Sequence, residues 1–146
     1  MRVLAAVALA VLVAAHPVHA QQGQRIAHQS VAGRPLSPAI QVGNTYWLSG
    51  KLGATSETRA MTEGRTAAET RNIMESFREQ LTQLGLDFGD IVQATVYMTD
   101  LEDFQAMNQV YSSYFPSEAP ARVTVQVAGL VNGAMIEISF VAVKTN

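Results

Sequence analysis

An α+β fold, with two helices on one face of a mixed β-sheet, is what the sequence predicts, and three observations carry the prediction. Runs rich in β-branched residues, bounded by Gly, Pro or Asn, occupy both ends of the chain. Two stretches, Thr66 to Leu84 and Asp100 to Tyr114, repeat apolar residues at helical spacing. Between them Ile91 to Thr99 alternates apolar and polar residues.

Taken in order, Gln21 to Gln24 is a polar leader and Arg25 to Gln29 an edge strand. Val31 to Pro38 is a loop, marked by Gly33, Pro35 and Pro38. Ala39 to Val42 and Thr45 to Ser49 are two strands joined in a hairpin at Gly43-Asn44, with Gly50 ending the second. Lys51 to Gly64 has no periodicity and reads as an exposed loop. Thr66 with Glu69 three residues on predicts a capping box, followed by the stripe Ile73, Met74, Phe77, Leu81, Leu84. Gly85 with Leu86 behind it predicts a Schellman-type end. Arg71, Glu75, Arg78 and Glu79 form the solvated side of this helix. In the next strand Val92, Ala94, Val96 and Met98 alternate with Gln93, Thr95, Tyr97 and Thr99. Asp100 caps a second helix with the core stripe Phe104, Met107, Tyr111, Tyr114, and Pro116 stops it. A strand from Pro120 to Ala128 and another from Met135 to Val141 flank an Asn132-Gly133 turn signal, so they are expected as antiparallel neighbours. The succession strand, helix, strand predicts one right-handed parallel crossover.

The chain has 146 residues, enough for one domain with a real core. The first twenty residues are of another kind. Arg2 precedes an apolar run from Val3 to Ala15, and Val18-His19-Ala20 is a small-x-small cleavage pattern. They predict a signal peptide over 1–20, cut after Ala20, and a single domain over 21–146 in a periplasmic or secreted protein. The run is shorter than the ~20 apolar residues of a membrane span, so no stable anchor is expected. Cutting there leaves nine Lys and Arg against twelve Asp and Glu, a charge of −3, and His28 as the one histidine. Such a balance, without a basic patch, argues against nucleic acid as a partner. Absence of cysteine excludes a thiol nucleophile, a Cys/His zinc site and a disulfide. Chemistry here falls to Arg, Glu, Ser, Asn, backbone groups and water, with no metal and no cofactor.

Two charged residues stand out in the terminal strands. Alternation sends Val123, Val125 and Val127 to one face and Arg122, Thr124 and Gln126 to the other, and Glu137 interrupts an otherwise apolar strand. On adjoining strands Arg122 and Glu137 would share one side of the sheet. The planar guanidinium suits a small carboxylate; it equally suits a structural ion pair with Glu137 or with another subunit. Glu137 suits a water-orienting base or simply that ion pair. With both helices on the apolar face, Gln93, Thr95, Tyr97, Arg122, Thr124 and Glu137 are expected to meet water or another copy. Tyr97, Val141 and Val143 among them favour an oligomer surface.

The motifs resemble those of the Rid family (the YjgF or reactive intermediate deaminase A group, formerly L-PSP endoribonuclease). They are Pro120-Ala121-Arg122 and Ile136-Glu137-Ile138, with Val42-Gly43-Asn44, Ser49-Gly50, Asp90-Ile91-Val92, Tyr97 to Leu101, Asp103-Phe104 and Met107-Asn108. The resemblance spans essentially all of 21–146. It implies a chorismate-mutase-like fold, a homotrimer with active sites in clefts between subunits, and hydrolysis of 2-imino acids or their 2-enamino tautomers to 2-oxo acids and ammonia. It implies Arg122 as the carboxylate binder, Glu137 as the water-associated glutamate, and Ser49, Gly50 and Asn108 as further substrate contacts; Tyr97 is placed either along the cleft or in the interface. Two positions depart from the pattern. Leu36 stands where deaminase members carry a Tyr, and Thr124 where a Cys is common, so the substrate-facing pocket is altered. Rival expectations are a non-catalytic trimeric module that binds small carboxylates and a holdase-like interaction protein using exposed apolar surface.

Overall fold

A computed structural model describes residues 23–61 and 63–145, so the expected signal peptide and its cleavage after Ala20 lie outside the described residues. As the turn chemistry predicts, Gly43-Asn44 folds β2 (Ala39–Val42) onto β3 (Thr45–Leu52), and β1 (Arg25–His28) adds antiparallel to the outer edge of β2. After β3 comes a one-turn helix, α1 (Ser56–Arg59), inside the stretch expected as a loop. It escapes periodicity because four residues are too few to show one, yet Thr55 and Thr58 cap each other reciprocally.

The long helix α2 (Arg65–Leu84) buries Ile73, Met74, Phe77 and Leu81 and ends as predicted, with Gly85 at φ 68° and the Leu86 N–H donating to the Leu81 carbonyl at 2.9 Å. Its start differs from the expected capping box. Gly64 is the N-cap, the Thr66 hydroxyl bonds Asp103 at 2.6 Å, and Glu69 is fully buried. The Glu69 carboxylate accepts the Arg65 Nε–H at 2.8 Å and the Met135 backbone N–H at 2.7 Å. This places the carboxylate where it ties the first turn of α2 to the entry of the last strand. Glu69→Ala leaves the part-buried Met135 N–H without its acceptor and Arg65 with only its bond to the Gly133 carbonyl; urea unfolding is expected to show a loss of about 2 kcal/mol.

Beyond β4 (Ile91–Met98), α3 (Phe104–Ser112) crosses over to β5 (Ala121–Gln126), which pairs with β4 in parallel. Asp103 rather than Asp100 occupies the N-cap, and the Asp100 carboxylate instead accepts the Glu102 N–H at 2.9 Å. The last strand, β6 (Ile136–Val143), does not return as a hairpin beside β5. Sheet order is β1-β2-β3-β6-β4-β5, with β6 antiparallel to both β3 and β4. Asn132-Gly133 makes a local turn over Val131–Gly133 and the chain rounds the C-terminal end of β4 to enter the sheet centre. The physical reason is burial: Ile136, Ile138, Phe140 and Ala142 are all buried, a row only a central strand can cover on both flanks.

Both helices lie on the face that carries Tyr46, Leu48, Ala94, Val96, Met98 and that β6 row, and together these residues form one core. Among the described residues no element covers the opposite face. Following the register, Trp47 lies beside Val141 and Val141 beside Gln93; Ser139, Thr95 and Val123 form the next row, and Leu52, Glu137, Tyr97 and Val125 the one after. Register also corrects the placement of β5. Arg122 pairs with Ala94 and Thr124 with Val96, on the helix side, while Val123 and Val125 point to the open face. Val123 is 52 % exposed and Trp47 47 %. An edge strand beyond the reach of α2 need not send its valines to the core, and here it sends them outward.

Candidate active site

The first cluster is built on β5 and α3. Pro120-Ala121 delivers Arg122 to the start of the edge strand, and α3 presents Phe104 and Tyr111, seven residues apart and therefore on one helical face. The Arg122 guanidinium carbon lies 4.7 Å from the Tyr111 ring centre and 5.7 Å from that of Phe104. Among the described residues Arg122 makes no ion pair, so aromatic faces hold the cation while its N–H fork stays unspent. Arg122, Asn108, Tyr111, Phe115 and Pro120 line a cavity of about 540 Å³. Asn108, one turn before Tyr111, offers a carboxamide to the same space. Two hydroxyls here are buried without partners among the described residues, that of Tyr111 and that of Thr124. Burial pushes the Tyr111 phenol up to about 12, with the Arg122 charge pulling the other way.

The second cluster is built on β3 and β6. Glu137 faces the open side beside Leu52 and Tyr97, and it forms no ion pair among the described residues. Gly50 does not end β3; it lies within it, where the register shifts between Leu48 and Lys51. A Cβ at Gly50 would collide with the Glu137 carboxylate, standing 2.9 Å from its Cδ and 3.2 Å from its Cγ. Gly50 is thus the space in which the carboxylate sits. Beside it the Ser49 hydroxyl donates to the Ser37 carbonyl at 2.7 Å, and the Ser49 N–H to the Pro38 carbonyl at 3.0 Å. Ser49 therefore anchors the loop that carries Leu36, whose side chain is exposed.

The eight residues singled out from the sequence fall into two groups. Arg122, Thr124 and Asn108 belong to the first cluster; Glu137, Gly50, Ser49 and Tyr97, with Leu36 on the anchored loop, belong to the second. Arg122 and Glu137 do not share a side of the sheet. β4 separates their strands, and they project to opposite faces. An ion pair between them within one chain is thereby excluded, and neither cluster alone holds both a carboxylate binder and a water-orienting base. The sequence reading missed Phe104 and Tyr111 as the bed of Arg122, having assigned both to the core stripe. It also passed over Trp47, whose place on the open face follows from the alternation of β3 around Tyr46 and Leu48.

A six-stranded mixed sheet with its helices on one face and an aromatic-backed arginine on its edge strand defines a protein of the YjgF/L-PSP fold. The chain belongs to the Rid (YjgF) family: the family profile described as Endoribonuclease L-PSP matches residues 27–144. Protein DfrA of Myxococcus xanthus is 40% identical over 112 residues, covering 75% of this chain and 86% of that protein. The human 2-iminobutanoate/2-iminopropanoate deaminase is 36% identical over 110 residues, covering 75% of this chain and 80% of the enzyme. Among solved structures, E. coli TdcF with bound serine superposes with a TM-score of 0.67 at 30% identity, over 77% of this chain and 90% of that one. Relatives named as imine deaminases support that role for the family.

Proposed function

We propose that this protein hydrolyses 2-imino acids, or their 2-enamino tautomers, to 2-oxo acids and ammonia, in clefts formed between copies of the chain. The observation that carries this reading is the unpaired Arg122 guanidinium, stacked on Tyr111 and lining a cavity beside Asn108. Its fork binds the substrate carboxylate through two charge-assisted hydrogen bonds. A neighbouring copy brings Glu137, which orients a water and takes its proton as the oxygen adds to C2 of the imine. Glu137 passes that proton to the nitrogen, the C–N bond breaks to release ammonia, and the hydroxyl on C2 gives up its remaining proton to Glu137 as it becomes the carbonyl. Protonated imines are electrophilic enough that positioning and one base suffice.

Assembly follows from the same geometry. An open face bearing Trp47, Tyr97, Val123 and Val141 needs a cover, and a closed ring of copies supplies it while placing the Glu137 face of one chain near an edge of the next. A homotrimer agrees with the family. Trp47→Glu combined with Val141→Glu, on neighbouring open-face positions away from the core, is expected to give folded monomers that have lost turnover. Native mass measurement with circular dichroism checks this, and an intact, active oligomer would rule the face out.

The function itself is tested by coupled turnover. An amino-acid oxidase generates imines in situ from several amino acids, and semicarbazide trapping reports their lifetime with and without the protein. Faster loss of imine supports hydrolysis. Binding of 2-oxo acids with no effect on imine lifetime would instead favour a carboxylate-binding module, the reading consistent with Leu36 at the substrate loop.

A further inference from the structure

Of the two partnerless hydroxyls on the Arg122 side of the sheet, both left over by the proposed reaction, that of Tyr111 belongs to a residue lining the cavity. Tyr111 is 3 % exposed, its ring lies under the guanidinium at 4.7 Å, and it packs on Phe115 with ring centres 4.8 Å apart. Its hydroxyl is closed to solvent and has no hydrogen-bond partner among the described residues. A phenylalanine would fill the same volume and stack on the same cation without that cost, and Phe104 and Phe115 show that the surrounding wall accepts one. The hydroxyl is therefore kept against stability, and it is kept on a residue that lines the ligand cavity.

We propose that Tyr111 is a further ligand-binding residue, its hydroxyl donating to the carboxylate that Arg122 holds and finding in the loaded site the partner it lacks in the free chain. The inference rests on Arg122 as the carboxylate binder. A carboxylate has about four lone-pair positions and a bidentate arginine uses two, so further donors have a place to go. The phenol is suited to that place, because burial holds its pKa at about 12 and it stays a neutral donor throughout the range in which imines are hydrolysed. Reaching it requires Arg122 to slide along the ring face on loading. The slide is cheap, since a stacked guanidinium without an ion pair has no directional contact to break.

Tyr111→Phe tests this in the full-length oligomer, with thermal melting, calorimetric binding of 2-oxobutanoate, and kcat and KM for imine hydrolysis measured together. The expected result is a Tm equal to or above that of the parent, kcat within about twofold, and KM and the 2-oxobutanoate Kd each raised about tenfold, the order of one hydrogen bond to a charged group. Unchanged KM and Kd overturn the inference, whether Tm rises or falls, because the hydroxyl is then without a ligand role. If Tyr111→Phe behaves as the parent while Arg122→Ala loses binding, this inference alone fails. If the parent neither binds 2-oxobutanoate nor hydrolyses imines, the proposed function fails and this inference with it.

Discussion

Arg122→Ala is expected to leave a folded oligomer that no longer captures 2-oxo acids and whose kcat/KM for imines falls about 100-fold. The guanidinium is half-buried, stacked on Tyr111 and Phe104, and free of any ion pair among the described residues. Removing it therefore breaks no internal salt bridge. The loss in stability is limited to cation–π contact and side-chain packing, roughly 1 kcal/mol. The loss in binding is larger, because a bidentate charge-assisted contact to carboxylate contributes about 3 kcal/mol in all, which corresponds to about 100-fold. Arg122→Lys sharpens the result: it keeps the charge but neither the planar stack nor the fork, and should recover little of the affinity. Thermal melting, 2-oxobutanoate binding and imine turnover on both variants decide the matter. Unchanged hydrolysis by a folded Arg122→Ala oligomer would remove Arg122 from the site.

Glu137→Gln is expected to fail in the opposite way, keeping ligand and losing rate. Glutamine fits the space that Gly50 leaves and preserves the packing beside Tyr97 and Leu52, so affinity for 2-oxobutanoate should stay within a few-fold. Without a base to take the water's proton, turnover should fall about 10²-fold or more. Gly50→Ala provides a companion test, because its Cβ would displace the carboxylate without altering its charge. If Glu137 served only as an ion-pair partner of another copy, Glu137→Gln would instead lower Tm or weaken the oligomer, and any loss of rate would follow the loss of assembly.

How much of this was legible beforehand depends on the range of the interaction involved. The stripe of α2, its Gly85 end, the β2–β3 hairpin and the alternation of β4 from Ala94 to Met98 rest on contacts within a few residues, and they stand in the structure where the sequence puts them; Val92, expected in the same apolar row, is instead 47 % exposed because the register shifts between Ile91 and Gln93. The capping box at Thr66 does not, because Glu69 has a stronger use in a part-buried bond to Met135, 66 residues away. The Asn132-Gly133 signal is a local preference for turning and carries no information about which strand the chain turns toward.

By itself the sequence determined the secondary elements other than the one-turn α1, the α+β class, and the two residue types on which the proposed carboxylate binding and water activation depend, since these follow from periodicity and side-chain chemistry. Only the tertiary structure decided that β6 enters the sheet between β3 and β4, that parallel pairing with β4 turns Arg122 toward α3, and that Glu137 looks out from the opposite face. The reason is geometric: alternation says which residues along a strand share a side, but which side faces the helices is set by the register with a neighbouring strand. That assignment separates Arg122 from Glu137 within one chain and makes a second copy a requirement of the proposed site.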